Sequence, residues 1–197
     1  MRTASPIDFS IRQFATSPFP HFCSTAVFLP TLERSLFEWL HSTSTWELTK
    51  TTFYEQYEFS LLHSTLPVEL QCLVDEKSLA MITAEMEIAF QVANLALVGV
   101  TVHKLTDGQR IGVHNDFIGK EESHRLIVQI NSGWTEDHGG YLLLFNSSNA
   151  EDVSELILPV SNSAFGFEIS AVSHHAVSTV YDFARYTLVY TFNKQAD

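Results

Sequence analysis

From residue 94 onward the chain falls into eight short apolar stretches separated by turn residues: LALVGVTVHKL, RIGVH, RLIVQIN, YLLLFN, SELILPV, AFGFEI, AVSHHAV and RYTLVYTF. Runs of this length, rich in β-branched and aromatic residues and bounded by Gly, Asn, Asp and Ser, read as strands. Eight such strands predict a jelly roll or a related double-sheet barrel.

The first half has a different texture. After Leu29-Pro30-Thr31, the residues Leu32, Leu36, Phe37 and Leu40 recur at helical spacing, with Thr31 placed to cap the N-terminus. The run from Ser78 to Gln91 lacks Gly and Pro and sets Leu79, Ile82, Met86 and Phe90 on one face, which predicts the main helix. Residues 46–62 alternate loosely and suit one or two strands near a sheet edge. With no internal repeat or linker, 1–197 reads as a single domain in which 1–93 is a helical and β support region for a barrel core over 94–193. Fifteen Phe, six Tyr and three Trp supply a core without covalent staples.

Charge and cysteine usage narrow the partners. A formal net charge of −12 with no Lys/Arg cluster argues against nucleic acid and anionic membrane, and suits a neutral or basic substrate. Cys23 and Cys72 stand far apart as ordinary thiols, which fits a reducing, cytoplasmic setting. Met1 to Phe22 has no continuous apolar run and is interrupted by Pro6, Pro18 and Pro20, so neither signal peptide nor membrane span is expected. Oligomeric state is left open.

The chemistry lies in the β-rich half. In His114-Asn115-Asp116 an extended backbone would send both potential ligands to one face, where they could chelate one metal. A third ligand is available downstream in Ser173-His174-His175, and adjacent histidines in a strand must point to opposite faces. Two imidazoles and a carboxylate form a facial triad that leaves three positions of an octahedral ferrous ion open for a bidentate cosubstrate and dioxygen. The plainer reading is an iron-free barrel whose polar residues are satisfied by hydrogen bonds. Arg185, ten residues after His175, offers a guanidinium fork for a carboxylate, and Thr187 at the alternate position adds a hydroxyl on the same face.

Taken together, Gly108, His114, Asp116, Arg125, Asn131, Trp134, Gly139-Gly140, Pro159, Phe165, His175, Val177, Arg185 and Thr187 stand in the order found in the Fe(II)/2-oxoglutarate oxygenase superfamily. Residues Thr101 to Phe192 resemble its prolyl 4-hydroxylase-like branch. The resemblance implies a double-stranded β-helix (jelly-roll, cupin-like) barrel buttressed by N-terminal helices. It selects His175 over His174, giving His114, Asp116 and His175 as iron ligands. Arg185 and Thr187 would hold the distal carboxylate of 2-oxoglutarate, with Gln129 and Asn131 lining the same pocket. One position departs from the pattern: the family often carries a Tyr about nine residues before the metal His, and here the neighbourhood reads His103-Lys104-Leu105.

The implied activity is hydroxylation of an unactivated C–H bond with Fe(II), 2-oxoglutarate and O2, and Asp116 favours it over halogenation, whose enzymes replace that carboxylate. HKLTDGQRIGVHND, HRLIVQINSGW and SHHAVSTVYDFARYTLVY also resemble small bacterial oxygenases associated with ribosomal peptide modification, which points to an amino-acid side chain of a peptide as substrate. The alternatives are a hydroxylase of a free amino acid or small metabolite, and a non-catalytic sensor of iron or 2-oxoglutarate. Arg125 reads either as a substrate contact or as the partner of an acidic neighbour. His103 and His124 read either as substrate contacts or, in preference, as structural hydrogen-bonding residues, and His21, His41, His63 and His138 as surface or loop residues.

Overall fold

The computed structural model describes residues 7–119 and 121–196. The leader-free reading of Met1 to Phe22 falls partly on residues 1–6, outside the described residues. No helix among the described residues is long and apolar enough to cross a membrane.

In chain order the elements are β1 (Arg12–Ala15), β2 (His21–Thr25), α1 (Pro30–Ser42), β3 (Glu47–Lys50), β4 (Glu55–Ser60), α2 (Glu76–Phe90), β5 (Leu95–Leu105), β6 (Ile111–His114), β7 (His124–Gln129), β8 (Leu142–Phe145), β9 (Val153–Ile157), β10 (Ser163–Glu168), β11 (His175–Val177) and β12 (Arg185–Lys194). Short 3-10 turns lie at Leu61–His63, Val68–Leu73 and Glu136–His138. All eight strands expected after residue 94 are present. They form two antiparallel sheets, a large one in the order β1-β2-β10-β7-β12-β5-β4-β3 and a small one in the order β6-β11-β8-β9. This is the double-stranded β-helix, and four of the large sheet's eight strands come from before residue 94.

Strand β12 divides the molecule. Its even residues Tyr186, Leu188, Tyr190 and Phe192 pack with Leu36 and Leu40 of α1 and Ile82 and Met86 of α2 in one core. Its odd residues Arg185, Thr187, Val189 and Thr191 face a cavity between the sheets. A smaller core of Phe19, Leu142, Leu144, Phe165, Phe167 and Val177 closes the inter-sheet space around that cavity. Both faces of β12 are covered, so it is buried from Arg185 through Phe192 although one face is largely polar.

Three details differ from expectation. Helix α1 begins at Pro30 with Leu29 as an N-cap that offers no side-chain bond, so Thr31 is not the cap. Proline has no N–H to satisfy and its φ already suits the first helical position, so the helix starts two residues early without a capping hydroxyl. Helix α2 starts at Glu76, capped by Asp75, whose carboxylate accepts from the Ser78 N–H at 2.8 Å. Strands β1 and β2 fall in the Ser/Thr/Pro-rich stretch assigned no element, and they place His21 in the interior at 2% exposure, with its Nδ1 2.8 Å from the Phe19 carbonyl oxygen.

His124 at the head of β7 is structural. It is 3% exposed, its Nδ1 lies 2.9 Å from Ser123 Oγ, and its buried Nε2 has no partner. Burial, with a contribution from Lys194, pushes its pKa down from 6.5 to about 4. The unfolded chain then binds more protons between those limits, so this contribution to stability is complete above pH 6.5 and is lost as the pH falls toward 4, up to about 3 kcal/mol. Replacing His124 with Leu should therefore flatten the fall of the urea-unfolding free energy over that window; an unchanged slope would show that His124 does not carry the dependence.

Candidate metal centre

Strands β6 and β11 are antiparallel neighbours, and their register sets His114 opposite His175. Opposed residues of such a pair project to one face, so two histidines far apart in sequence meet with ring centroids 4.2 Å apart. Each ring is fastened to its own strand: Nδ1 of His114 donates to the Gly112 carbonyl at 2.9 Å, and Nδ1 of His175 to the Ser173 carbonyl at 2.8 Å. A carbonyl can only accept, so Nδ1 carries the proton and each Nε2 presents a lone pair.

Asp116 reaches the same point by a different route from the alternation of an extended strand. Strand β6 stops at His114, and Asp116 lies at φ +57°, a left-handed conformation that Asp tolerates better than most residues. Asn115 supports it, accepting from the Phe117 N–H at 3.1 Å in an Asx turn and donating to the Ala171 carbonyl at 3.1 Å.

The result is a tight convergence. Asp116 Oδ1 is 3.4 Å from His114 Nε2, Oδ2 is 3.3 Å from His175 Nε2, and one ligand atom from each residue lies within 4.8 Å of the others. Lone pairs directed at one another in this way repel unless a cation lies among them. Two neutral imidazoles and a carboxylate are the donor set that suits a ferrous ion with open positions. Burial works to raise the Asp116 carboxyl, but the Arg125 guanidinium 2.6 Å from Oδ2 holds the group well below the usual carboxylate range. Arg125 also bonds Glu122, so between its two readings the structure shows the pairing with acidic neighbours. His174 is not in the cluster; its carbonyl accepts from the Phe145 N–H at 3.0 Å.

The centre forms one wall of a cavity of about 430 Å³. Arg185 and Thr187, 5% and 3% exposed, line it from β12. Arg185 Nε is buried without an acceptor, and burial lowers the guanidinium only to about 10, so it is charged at neutral pH. A buried cation with no ion pair among the described residues, beside a candidate metal centre, fits an incoming carboxylate. The Gly139-Gly140 turn makes room for it. Gly140 sits at φ +71°, and a Cβ there would lie 2.9 Å from Arg185 Cδ and 3.3 Å from Val180 Cγ2.

Gln129 and Asn131 do not line this cavity. Asn131 is consumed by the fold: its Oδ1 accepts from the Tyr186 N–H at 2.7 Å, and its Nδ2 donates to the Pro159 carbonyl at 2.9 Å and to Gln129 Oε1 at 3.2 Å. Gln129 stands opposite Thr187 in register, and its Oε1 accepts from that amide. Conversely, the reading of the sequence left out Tyr54, Gln56, Glu58 and His103, all of which line the cavity. Gln56 and Glu58 share a face of β4 at period two, but which face met the barrel interior depended on pairing with β5.

Residues 100–191 match the 2OG-Fe(II) oxygenase superfamily. No curated protein matches the chain in sequence. Among solved structures, a Pseudomonas putida prolyl-4-hydroxylase is 15% identical with a TM-score of 0.71, over 89% of this chain and 93% of that one. A Trichoplax adhaerens prolyl hydroxylase, in complex with a hypoxia inducible factor peptide fragment, is 13% identical with a TM-score of 0.68, over 88% and 83%. A viral collagen prolyl hydroxylase from Paramecium Bursaria Chlorella virus-1, in a 2OG complex, is 13% identical with a TM-score of 0.61, over 89% and 96%. The protein is thus a 2-oxoglutarate-dependent non-haem iron dioxygenase, with Fe(II) as its metal and 2-oxoglutarate and O2 as cosubstrates. The family match is confined to residues 100–191, and the fold is that of prolyl 4-hydroxylase-like structures.

Two substitutions probe the geometry. His175→Ala should lose Fe(II) binding, measured by metal analysis after anaerobic loading, while His174→Ala retains it; the reverse pattern would exchange their roles. Gly140→Ala should displace Arg185 and weaken 2-oxoglutarate binding without loss of iron, and unaltered binding would show that the turn does not position the guanidinium.

Proposed function

We propose that the protein hydroxylates an unactivated C–H bond on an amino-acid side chain of a peptide, with His114, Asp116 and His175 holding Fe(II) and Arg185 and Thr187 holding the distal carboxylate of 2-oxoglutarate. The observation that carries the reading is the shared cavity: a converging imidazole-imidazole-carboxylate set on one wall and an unpaired buried guanidinium on another. Hydroxylation of a peptide is supported by the prolyl hydroxylases of similar fold, one of which is seen with a peptide fragment.

When bound, Fe(II) with O2 and 2-oxoglutarate supplies the oxidative step that yields succinate, carbon dioxide and a hydroxylated carbon. The chain's own residues prepare that step. The carbonyls of Gly112 and Ser173 fix both imidazole tautomers. Arg125, tethered by Glu122, occupies one side of the Asp116 carboxylate and limits how its oxygens turn. Arg185 and Thr187 orient the cosubstrate's far end, and the apolar walls from Ile127, Leu142, Val177 and Val189 exclude water from the reacting region.

The test is succinate production on admitting O2 to protein loaded anaerobically with Fe(II) and 2-oxoglutarate, with and without peptide and amino-acid pools. Stimulation by a peptide pool is expected, and stimulation by free amino acids alone would assign a metabolite substrate instead. Arg185→Ala should raise the 2-oxoglutarate requirement by about two orders of magnitude, as when one partner of a buried charge pair worth about 3 kcal/mol is removed; an unchanged requirement would remove Arg185 from the site.

A further inference from the structure

On the cavity wall away from β11, the inner face of the large sheet carries a row set by strand register. Thr187 of β12 faces His103 of β5, and His103 faces Glu58 of β4. At the usual spacing of neighbouring strands this places Glu58 about 10 Å from the Arg185–Thr187 anchor, in the part of the cavity left for a substrate. Tyr54, whose phenol is raised by burial and by both Glu58 and Asp116, links this end electrostatically to the metal centre.

The charges of the cavity are unevenly matched. Arg125 is committed to Asp116 and Glu122, and Arg185 faces the cosubstrate's carboxylate. His103 Nε2 lies 3.9 Å from Glu58 Oε2, but burial depresses the imidazole to about 4, so at neutral pH this contact is no ion pair. Among the described cavity residues, Glu58 is left without a cation. Its carboxylate is nevertheless held in place: Thr49 Oγ1 donates to Oε1 at 2.8 Å and Gln56 Nε2 donates to Oε2 at 2.7 Å. A carboxylate accepts and does not donate, so the Gln56 amide nitrogen must face Glu58. That leaves Gln56 Oε1 as a buried acceptor with no partner, in a residue only 4% exposed. A fixed carboxylate and an unpaired amide oxygen beside aromatic rings form a site that lacks a donor with positive charge.

We infer that Glu58 and Gln56 bind a protonated amine or guanidinium of the substrate, so that the residue hydroxylated, or its immediate neighbour, is cationic. This rests on the function proposed above and narrows its substrate. The ammonium would donate to Glu58 and to Gln56 Oε1, with the Tyr54 and Phe53 rings along its alkyl stem.

The experiment is calorimetric titration of protein loaded with Fe(II) and 2-oxoglutarate under nitrogen, using N-acetyl-lysine methylamide and its norleucine counterpart, which lacks only the charged amine, with free lysine and cadaverine as further arms. Capped lysine should bind at least tenfold more tightly than capped norleucine. Glu58→Gln should remove that preference, Gln56→Leu should reduce it several-fold, and Glu58→Asp should keep part of it. Tighter binding of free lysine or cadaverine with the same dependence on Glu58 supports the cation site and assigns it to a small metabolite. Equal binding of the lysine and norleucine probes, or a preference that survives in a folded Glu58→Gln protein, would overturn the inference. If the parent protein failed to bind 2-oxoglutarate at all, the proposed function would fall first, and that result is read in the same titration before any probe is added.

Discussion

Strand β12 lies in the middle of the large sheet with no face open to solvent, and the site depends on how its two-residue alternation is filled. One set of side chains is aromatic and aliphatic and anchors both helices. The other carries a guanidinium and two hydroxyls into the cavity. Desolvating Arg185 is unfavourable by itself, and the apolar face behind it supplies the packing that keeps the strand in place. The helical half of the chain is thus tied to the chemistry through β12 and its sheet neighbours β5 and β7, whose Val100, Val102, Leu126 and Val128 share the same core.

The remaining charges are arranged around that constraint. Asp116 faces inward at an unusual backbone angle and is bordered by two neutral imidazoles and one arginine. The imidazoles are committed through Nδ1 to main-chain carbonyls, so their metal-facing nitrogens need no distant partner to set the tautomer. Electrostatic order in the cavity therefore comes largely from backbone and from one tethered guanidinium, with few side chains free to rearrange.

Much of this was legible in the sequence. The eight apolar runs after residue 94 became eight strands, and His114, His175, Arg185 and Thr187 were brought to one cavity because period-two patterning fixes which residues share a face, while Asp116 joins them from a left-handed position past the end of β6. What escaped had physical reasons. Strands β1 and β2 are short and flanked by prolines, and their burial depends on pairing with β10, a contact far away in sequence. The role of Asn131 depends on the Tyr186 N–H and the Pro159 carbonyl, neither of which a local pattern reveals. The residues Gln56, Glu58 and His103 became cavity residues only through the β4–β5 register, which a single strand's pattern leaves undetermined.

Both metal-facing histidines are secured to carbonyls two positions earlier in the chain, and their two strands are direct neighbours. The pair is therefore a self-contained hairpin-like cassette whose geometry does not depend on the length of the chain running between them. Insertions or deletions in the intervening connections can remodel the cavity mouth while the centre keeps its shape, whereas a one-residue slip inside β6 or β11 would turn an imidazole outward. Such a layout separates the evolution of what is bound from the evolution of what reacts.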